Sequence, residues 1–190
     1  MPLLHAGDAF PDLMITLPGG DLVSVPAWFA GGYGVVLFSR GASCRACVEQ
    51  ERAFQRSTAR FEKAGISVVA VSSDDEATTS VLISKYGLTY PVGHSADPQS
   101  ISDATGAFVS LDPPQLQSTG FVLDPCGNVI ISLYSCGAIG QLLPDDVLEL
   151  VRDLHSSAVI IQGGHVMKKH PIARTGSGSS RAGNDLRGVL

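Results

Sequence analysis

Two continuous apolar runs of strand length constrain this chain more than any other feature. Residues 33–39 read YGVVLFS and residues 66–73 read ISVVAVSS. Runs of this kind are typical of strands that are covered on both faces, as in a parallel sheet. Between them, from Cys44 to Gly65, apolar residues recur at helical spacing, and Ser43 stands where an N-cap is expected. The sequence therefore predicts a strand, a helix and a second parallel strand, with residues 33–39 central in the sheet.

The remaining segments extend this pattern. LMITLPGGDLVSV (13–25) predicts an N-terminal β-hairpin, and acidic residues at the start of 74–86 suit the positive end of a helix. A region that contains YPVGHSADP and LDPPQLQS has no regular pattern. Residues 119–135 then predict a second hairpin, and Pro144 begins a final helix. The order of elements is that of an α/β domain with an N-terminal extension.

Composition excludes several classes of protein. The chain has 190 residues, enough for one domain with a substantial core, and its four cysteines are too few for a disulfide scaffold. The start, MPLLHAGDAFPDL, has no basic segment followed by a long apolar one, and no apolar run reaches the roughly 18 residues that span a bilayer. We therefore expect a cytoplasmic protein with reduced thiols and no membrane partner.

Charge divides the chain into two parts. Residues 1–156 carry 8 Lys and Arg against 17 Asp and Glu, a net charge of −9, whereas residues 157–190 carry 5 against 1, a net charge of +4. An acidic body does not suit nucleic acid as a partner, because phosphates repel it. The second part is rich in Gly and Ser with little apolar periodicity. We predict a folded domain over 1–156 and a flexible basic tail over 157–190.

Cys44 and Cys47 lie where the first predicted strand gives way to the helix. Three interpretations are open: a redox pair, half of a metal site, or two small buried residues. A zinc site requires two further ligands at close spacing, and no second CxxC is present, so we expect no metal and no cofactor. A spacing of three on a helix puts both Cβ atoms on one face, where a disulfide can form. The helix N-terminus, Arg40 and Arg45 favour a thiolate, which supports the redox pair.

Several stretches resemble the alkyl hydroperoxide reductase C and thiol-specific antioxidant group, the peroxiredoxin-like members of the thioredoxin superfamily. In order they are GDAFPDL (7–13), RGASCRAC (40–47), VVAVSSDD (68–75), TGFVLDPCG (119–127) and YSCGAIG (134–140). Each is weak alone, but their order agrees with the order of predicted elements. The resemblance implies a thioredoxin-like α/β fold, a central mixed β-sheet flanked by helices, with the cysteine pair at the carboxyl end of the central strand.

The resemblance also implies a function. A thiol-dependent antioxidant enzyme would reduce a hydroperoxide substrate through Cys44 and Cys47, which would cycle between dithiol and disulfide with a thiol or thioredoxin-like reductant. A homodimer is left open. Two alternatives remain: a thiol-disulfide oxidoreductase that acts on protein disulfides, and a non-catalytic redox-sensing or binding module on the same fold.

The chain departs from the family pattern around the pair. If Cys47 takes the place of the family's peroxidatic cysteine, Arg40 and Cys44 stand where the family has proline and threonine. The position of the family's distant arginine, or of the thioredoxin cis-proline, falls on Ser118. We therefore expect Arg40, Ser118 and Thr119 to support the pair. Helix electrostatics favour Cys44 as the attacking thiol and the alignment favours Cys47, so this choice stays open.

Four more residues are candidates for lesser roles. Cys126 lies in the turn of the second hairpin and Cys136 follows its second strand, so about 30 Å of straight strand prevents their pairing. We expect the returning strand to carry Cys136 close to the pair as an auxiliary thiol and to leave Cys126 remote and inert. His94 is a candidate acid or base if its loop folds over the pair, and Gln50 is expected to be an exposed helical residue.

Overall fold

The computed structural model describes residues 3–137 and 139–163, which form nine strands, five α-helices and a short 3-10 helix. The strands are β1 (Leu13–Thr16), β2 (Leu22–Val25), β3 (Tyr33–Phe38), β4 (Ile66–Val71), β5 (Val92–Gly93), β6 (Val109–Leu111), β7 (Pro114–Leu116), β8 (Thr119–Leu123) and β9 (Val129–Tyr134). The helices are α1 (Arg45–Arg56), α2 (Thr58–Lys63), α3 (Glu76–Tyr86), α4 (Pro98–Thr105) and α5 (Pro144–Gly163), and a short 3-10 helix spans Ala27–Phe29.

A five-stranded mixed sheet forms the centre of the fold, in the order β5-β4-β3-β8-β9. β3 is parallel to β4, antiparallel to β8, and flanked by both. Its side chains alternate between two cores: Val36 and Phe38 enter one, and Val35 and Leu37 enter the other. None of these four side chains is more than 1% exposed. The prediction of a central strand covered on both faces is confirmed.

The helix predicted from Cys44 to Gly65 is instead two helices, α1 and α2, with a break at Ser57. The hydroxyl of Thr58 donates to the carbonyl of Gln55 at 2.7 Å. A local bond of this kind competes with the helical ladder, which accounts for the break. The residue types at the break were visible in the sequence, but they did not interrupt the apolar periodicity.

The expected N-cap of α1 is also corrected by one residue. Cys44, not Ser43, takes this position, with extended backbone dihedrals of φ −91 and ψ 99. Its sulfur accepts the backbone N–H of Cys47 at 3.3 Å. Ser43 is exposed and lies in the preceding turn.

Both predicted hairpins are present. β1 and β2 pair antiparallel at the N-terminal end, and β8 and β9 pair antiparallel around the turn that holds Cys126. The helix predicted over 74–86 is α3, with the Asp75 side chain accepting the Thr78 amide at 2.8 Å as its N-cap.

The region expected to be irregular contains a helix, α4, and a third hairpin, β6–β7. Asp97 caps α4, Pro98 lies at its first position and Gly106 ends it in the left-handed region. These are ordinary start and stop signals. The helix was missed because eight residues are too few for a periodicity to emerge.

The final helix begins at Pro144 as predicted, and it continues to Gly163. The basic tail predicted over 157–190 thus starts within the last turns of this helix, and its remainder, 164–190, lies outside the described residues. Among the described residues, no helix has the length and hydropathy needed to cross a membrane.

Gly34 of β3 provides a test of how tightly the two cores are packed. A Cβ at this position would overlap the buried ring of Phe29. We predict that Gly34→Ala lowers the free energy of unfolding by about 1–3 kcal/mol, because overpacking forces the ring to move. Urea denaturation measures this. Gly137→Ala is the control, since nothing lies within 4 Å of its added Cβ; an equal loss in both variants would contradict the packing explanation.

Candidate active site

Cys44 and Cys47 lie at the carboxyl end of β3, where residues 39–43 lead into α1. Their Sγ atoms are in disulfide contact, and their Cα atoms are 5.3 Å apart. Cys44 is 9% exposed and Cys47 is fully buried at 0%. Both residues are therefore buried, and Cys47 is the more deeply buried of the two.

Helix α1 presents its unpaired N–H groups to this pair. The first turn of α1 contains no acidic residue. Helix N-termini carry partial positive charge, so this position stabilises a negative sulfur. Since the Cys44 sulfur already accepts an amide of the first turn, it is placed to receive that stabilisation most directly.

A side-chain amide from a distant part of the chain also reaches the pair. Gln141 Nε2 lies 3.7 Å from Cys47 Sγ and donates to the Ser118 hydroxyl at 2.9 Å. The loop that bears it is held by Gln50, whose Nε2 donates to the Leu142 carbonyl at 3.0 Å. Gln50 is 9% exposed, so the expectation of an exposed helical residue is wrong. Sequence reasoning missed Gln141, because a polar residue in an irregular loop has no distinguishing pattern.

Polar contacts from two strands hold the loop that precedes α1. The Ser39 hydroxyl accepts the Gly41 amide at 3.1 Å, and the Asp74 carboxylate accepts the Ala42 amide at 2.7 Å. Gly41 has a positive φ of 84 and lies against the Asp74 carboxylate, where a Cβ would overlap it. The sequence predicted Asp74 only as part of a helix start. Its position makes it a support of the cysteine loop as well.

Arg40 lies in this loop, half-buried. Its carbonyl accepts the side-chain amide of Gln115, which ties the β6–β7 hairpin to the loop. Its Nε is buried and has no hydrogen-bond partner among the described residues. Arg40 therefore lies in the loop that leads to the pair, and it forms no ion pair with the residues that the structure describes.

Ser118 and Thr119 are both buried at the start of β8. Ser118 receives the Gln141 amide, so it belongs to the group around Cys47. The Thr119 hydroxyl instead donates to the Gln117 carbonyl at 3.4 Å. Ser118 is therefore linked to the pair through Gln141, whereas the Thr119 hydroxyl is occupied by the backbone two residues earlier.

Glu51 is an unexpected member of this region. It lies on α1 one turn after Cys47 and is only 3% exposed. Burial raises the pKa of its carboxyl from 4.5 to about 7, a hydrogen bond from Ser39 opposes the rise, and the Asp74 charge adds to it. The periodicity of α1 gave no reason to single out this residue, because a Glu on a helix is usually solvated.

The remaining candidates from the sequence are Cys136, Cys126 and His94. β9 returns to the edge of the sheet where β8 begins, and the Ser135 amide donates to the Ser118 carbonyl at 2.9 Å. Cys136, the next residue, is exposed and free, whereas Cys126 is exposed in the turn at the opposite end of the hairpin. His94 lies beside β1, where its amide donates to the Thr16 carbonyl at 3.0 Å and its Nδ1 pairs with Ser95.

This arrangement suits thiol chemistry. The pair can pass between dithiol and disulfide without a large backbone movement, because the two Cα atoms are already within disulfide range. Among the residues described, no cluster of three His, Cys, Asp or Glu side chains is placed to hold a metal ion.

Comparisons with known proteins agree with this geometry. The profile of the AhpC/TSA family matches residues 6–131. A peroxiredoxin of Treponema denticola is 30% identical over 164 residues, covering 83% of this chain and 76% of that protein. Peroxidoxin BcpB from Mycobacterium tuberculosis has a similar fold, with a TM-score of 0.69 at 18% identity over 80% of this chain and 98% of the other. Mycobacterium bovis AhpC gives 0.67 at 23% identity, over 83% and 96%.

The structural neighbours confirm the predicted thioredoxin-like fold, a mixed sheet flanked by helices with an N-terminal hairpin. The family match extends over most of the domain and includes the cysteine pair. The chain belongs to the AhpC/TSA family of peroxiredoxins, which are thiol peroxidases.

Proposed function

We propose that this protein reduces hydroperoxides by cycling Cys44 and Cys47 between a dithiol and a disulfide. The observation that carries the proposal is the placement of the two sulfurs in disulfide contact at the N-terminus of α1. A helix N-terminus lowers the pKa of a cysteine thiol, and a neighbouring thiol resolves the oxidised form. The family supplies the substrate class, hydroperoxides, and the need for a thiol reductant.

Cys44 is the attacking thiol in this proposal. Cys44 is the less deeply buried residue of the two, and its sulfur accepts an amide N–H of α1. The Cys44 thiolate attacks the terminal peroxide oxygen and the O–O bond breaks. The sulfur becomes a sulfenic acid, and the alkoxide leaves and takes a proton to become an alcohol.

Cys47 resolves the sulfenic acid. Its thiol loses a proton, its sulfur attacks Cys44, and the sulfenic oxygen leaves as water while the disulfide forms. Two electrons from an external dithiol reductant, with two protons, restore both thiols. A reductant first meets Cys44, because the Cys47 sulfur is sealed beneath it.

Gln141 and Ser118 take over part of the role that the missing family residues have. The Gln141 amide is directed at Cys47 Sγ and is fixed by the Ser118 hydroxyl. A donor of this kind stabilises negative charge on sulfur as it develops. Arg40, whose Nε has no partner among the described side chains, is a second source of positive charge near the same loop.

The roles of the two cysteines can be separated by substitution. We predict that Cys44→Ser reduces the rate of peroxide consumption to that of a free model thiol, because it removes the attacking sulfur. Cys47→Ser should still react once and accumulate a sulfenic acid on Cys44. Stopped-flow mixing with hydrogen peroxide measures the rates, and intact-protein mass spectrometry identifies the product.

Cys126→Ser is the matched control and should leave both readouts unchanged, since this thiol lies at the far end of the β8–β9 hairpin. A sulfenic acid trapped on Cys47 in Cys44→Ser would reverse the assignment. Rapid reduction of an insulin disulfide with slow peroxide consumption would favour the thiol-disulfide oxidoreductase. Slow, stoichiometric oxidation with neither activity would favour a redox-sensing module.

Gln141→Leu tests the contribution of the distant amide. We expect the rate constant of resolution, the conversion of the Cys44 sulfenic acid to the disulfide, to fall roughly 10- to 100-fold, because a hydrogen bond to the anion that develops on Cys47 is lost. Single-turnover mixing with hydrogen peroxide, with intact-protein mass spectrometry of quenched samples, measures this. Gln99→Leu is the control, because Gln99 lies on the exposed face of α4 and bonds Asp103; equal rates in the two variants would contradict a role for Gln141.

A further inference from the structure

Glu51 is a buried carboxyl for which the peroxidase cycle above has no use. It is 3% exposed, and its Oε2 has no hydrogen-bond partner among the described residues. Burying a carboxylate without a cation or a full set of donors is costly. A buried carboxyl on the helix that bears the cysteine pair therefore calls for an explanation, and the pair is the nearest reactive group on that helix.

The helix places Glu51 against Cys47. Residues four apart on a helix lie on one face, with Cβ atoms about 5–6 Å apart. Helical side chains lean toward the N-terminus, which directs the Glu51 side chain toward the turn that bears Cys47. Its hydrogen bond with Ser39, at the end of β3, agrees with this direction.

The groups that face Glu51 do not neutralise it. From β3 and its loop comes the Ser39 hydroxyl, and from the end of β4 comes the Asp74 carboxylate, which is also negative. From the segment before β5 comes Tyr90, whose hydroxyl donates to the Glu51 carbonyl at 2.9 Å. Arg40 is near in sequence to Ser39, but it is not among the groups that shift the pKa of Glu51. None of the groups that shift the pKa of Glu51 is a cation, so none of them offsets the burial of its carboxylate.

We propose that Glu51 is a positioning residue that couples proton binding to the redox state of the cysteine pair, because its carboxylate and a Cys47 thiolate oppose each other's ionisation. When one of the two groups is ionised, the other tends to hold its proton. This rests on the proposed dithiol cycle for its role, but the coupling is a property of the thiol and is measurable without turnover.

The coupling gives the cycle a specific proton balance. In the disulfide form neither sulfur carries a charge, so the Glu51 carboxyl is free to ionise. When a thiolate of an external dithiol attacks Cys44, a mixed disulfide forms, the Cys44–Cys47 bond breaks and Cys47 leaves as a thiolate; the second thiol of the reductant then closes its own disulfide and releases Cys44. Glu51 then binds a proton from solvent, and the buried site keeps one negative charge instead of two. Reduction therefore takes up a proton at the carboxyl as well as electrons at sulfur.

The test compares Glu51→Gln with the original residue in a full-length Cys44→Ser protein, where Cys47 is the buried thiol of interest. Its alkylation by iodoacetamide is followed against pH, with mass spectrometry separating Cys47 from Cys126 and Cys136. In the alkaline range Glu51 is ionised, so removing its charge should lower the alkylation midpoint of Cys47 by at least one pH unit. That is about a tenfold larger thiolate fraction below the midpoint.

Two further variants make the result decisive. Glu49→Gln is the matched control, because Glu49 lies on the same helix but is exposed and paired with Arg52 at 2.7 Å; its midpoint should not move. Glu51→Leu removes the buried polar atoms without requiring new partners and should shift the midpoint in the same direction as Glu51→Gln. Midpoints that coincide in all four proteins would overturn the proposal.

The pH dependence of stability is an independent readout. The raised pKa of Glu51 means that its protonated form stabilises the fold fully below about pH 4.5, and that this stability is lost as the pH rises through about 7. The urea midpoint should therefore fall from pH 5 to pH 8 more steeply in the protein that retains Glu51 than in the Glu51→Gln variant, and parallel curves would count against an unneutralised carboxyl. If the alkylation midpoint of Cys47 shifts as expected but the unsubstituted protein consumes no peroxide, the proposed function fails and the coupling stands.

Discussion

The hydrogen bond from the Cys47 amide to the Cys44 sulfur is the contact on which the site depends. It makes the Cys44 sulfur both the cap of α1 and, in the proposed cycle, the attacking atom. N-caps usually use oxygen, and a poor cap destabilises the helix that follows. Here the cap is held from outside, because Ser39 and Asp74 fix the loop that delivers Cys44. The position of the Cys44 sulfur is therefore fixed relative to β3, which is buried on both faces.

The chain departs from the family pattern around the cysteine pair. If Cys47 is aligned with the family's peroxidatic cysteine, Arg40 and Cys44 stand where the family has proline and threonine, and the position of the distant arginine holds Ser118. The structure places a different hydrogen-bond donor near the pair, an amide from Gln141 on the loop after β9. Neutral amides stabilise an anion less than a guanidinium does, so the electrostatic contribution of the helix N-terminus matters more in this chain.

Local patterns predicted the frame of the protein and the position of the cysteine pair. β3 was predictable because seven successive residues suit burial on both faces, and the pair because its spacing matches one turn of helix. Gln141, Gln50 and Glu51 were not predictable, because their importance comes from burial and from partners distant in sequence, which periodicity does not encode. The break at Ser57 was missed for the opposite reason: a local hydroxyl bond overrode a periodicity that continued through it.

The hydrogen bond from Gln50 to the Leu142 carbonyl has one more consequence. It links α1 directly to the loop that bears Gln141, although 92 residues separate the two ends of the bond. Fraying of the first turns of α1 would break the hydrogen bond from the Cys47 amide to the Cys44 sulfur. The same event would move the Gln141 side-chain amide away from Cys47. Local unfolding there would therefore remove both contacts to the pair together.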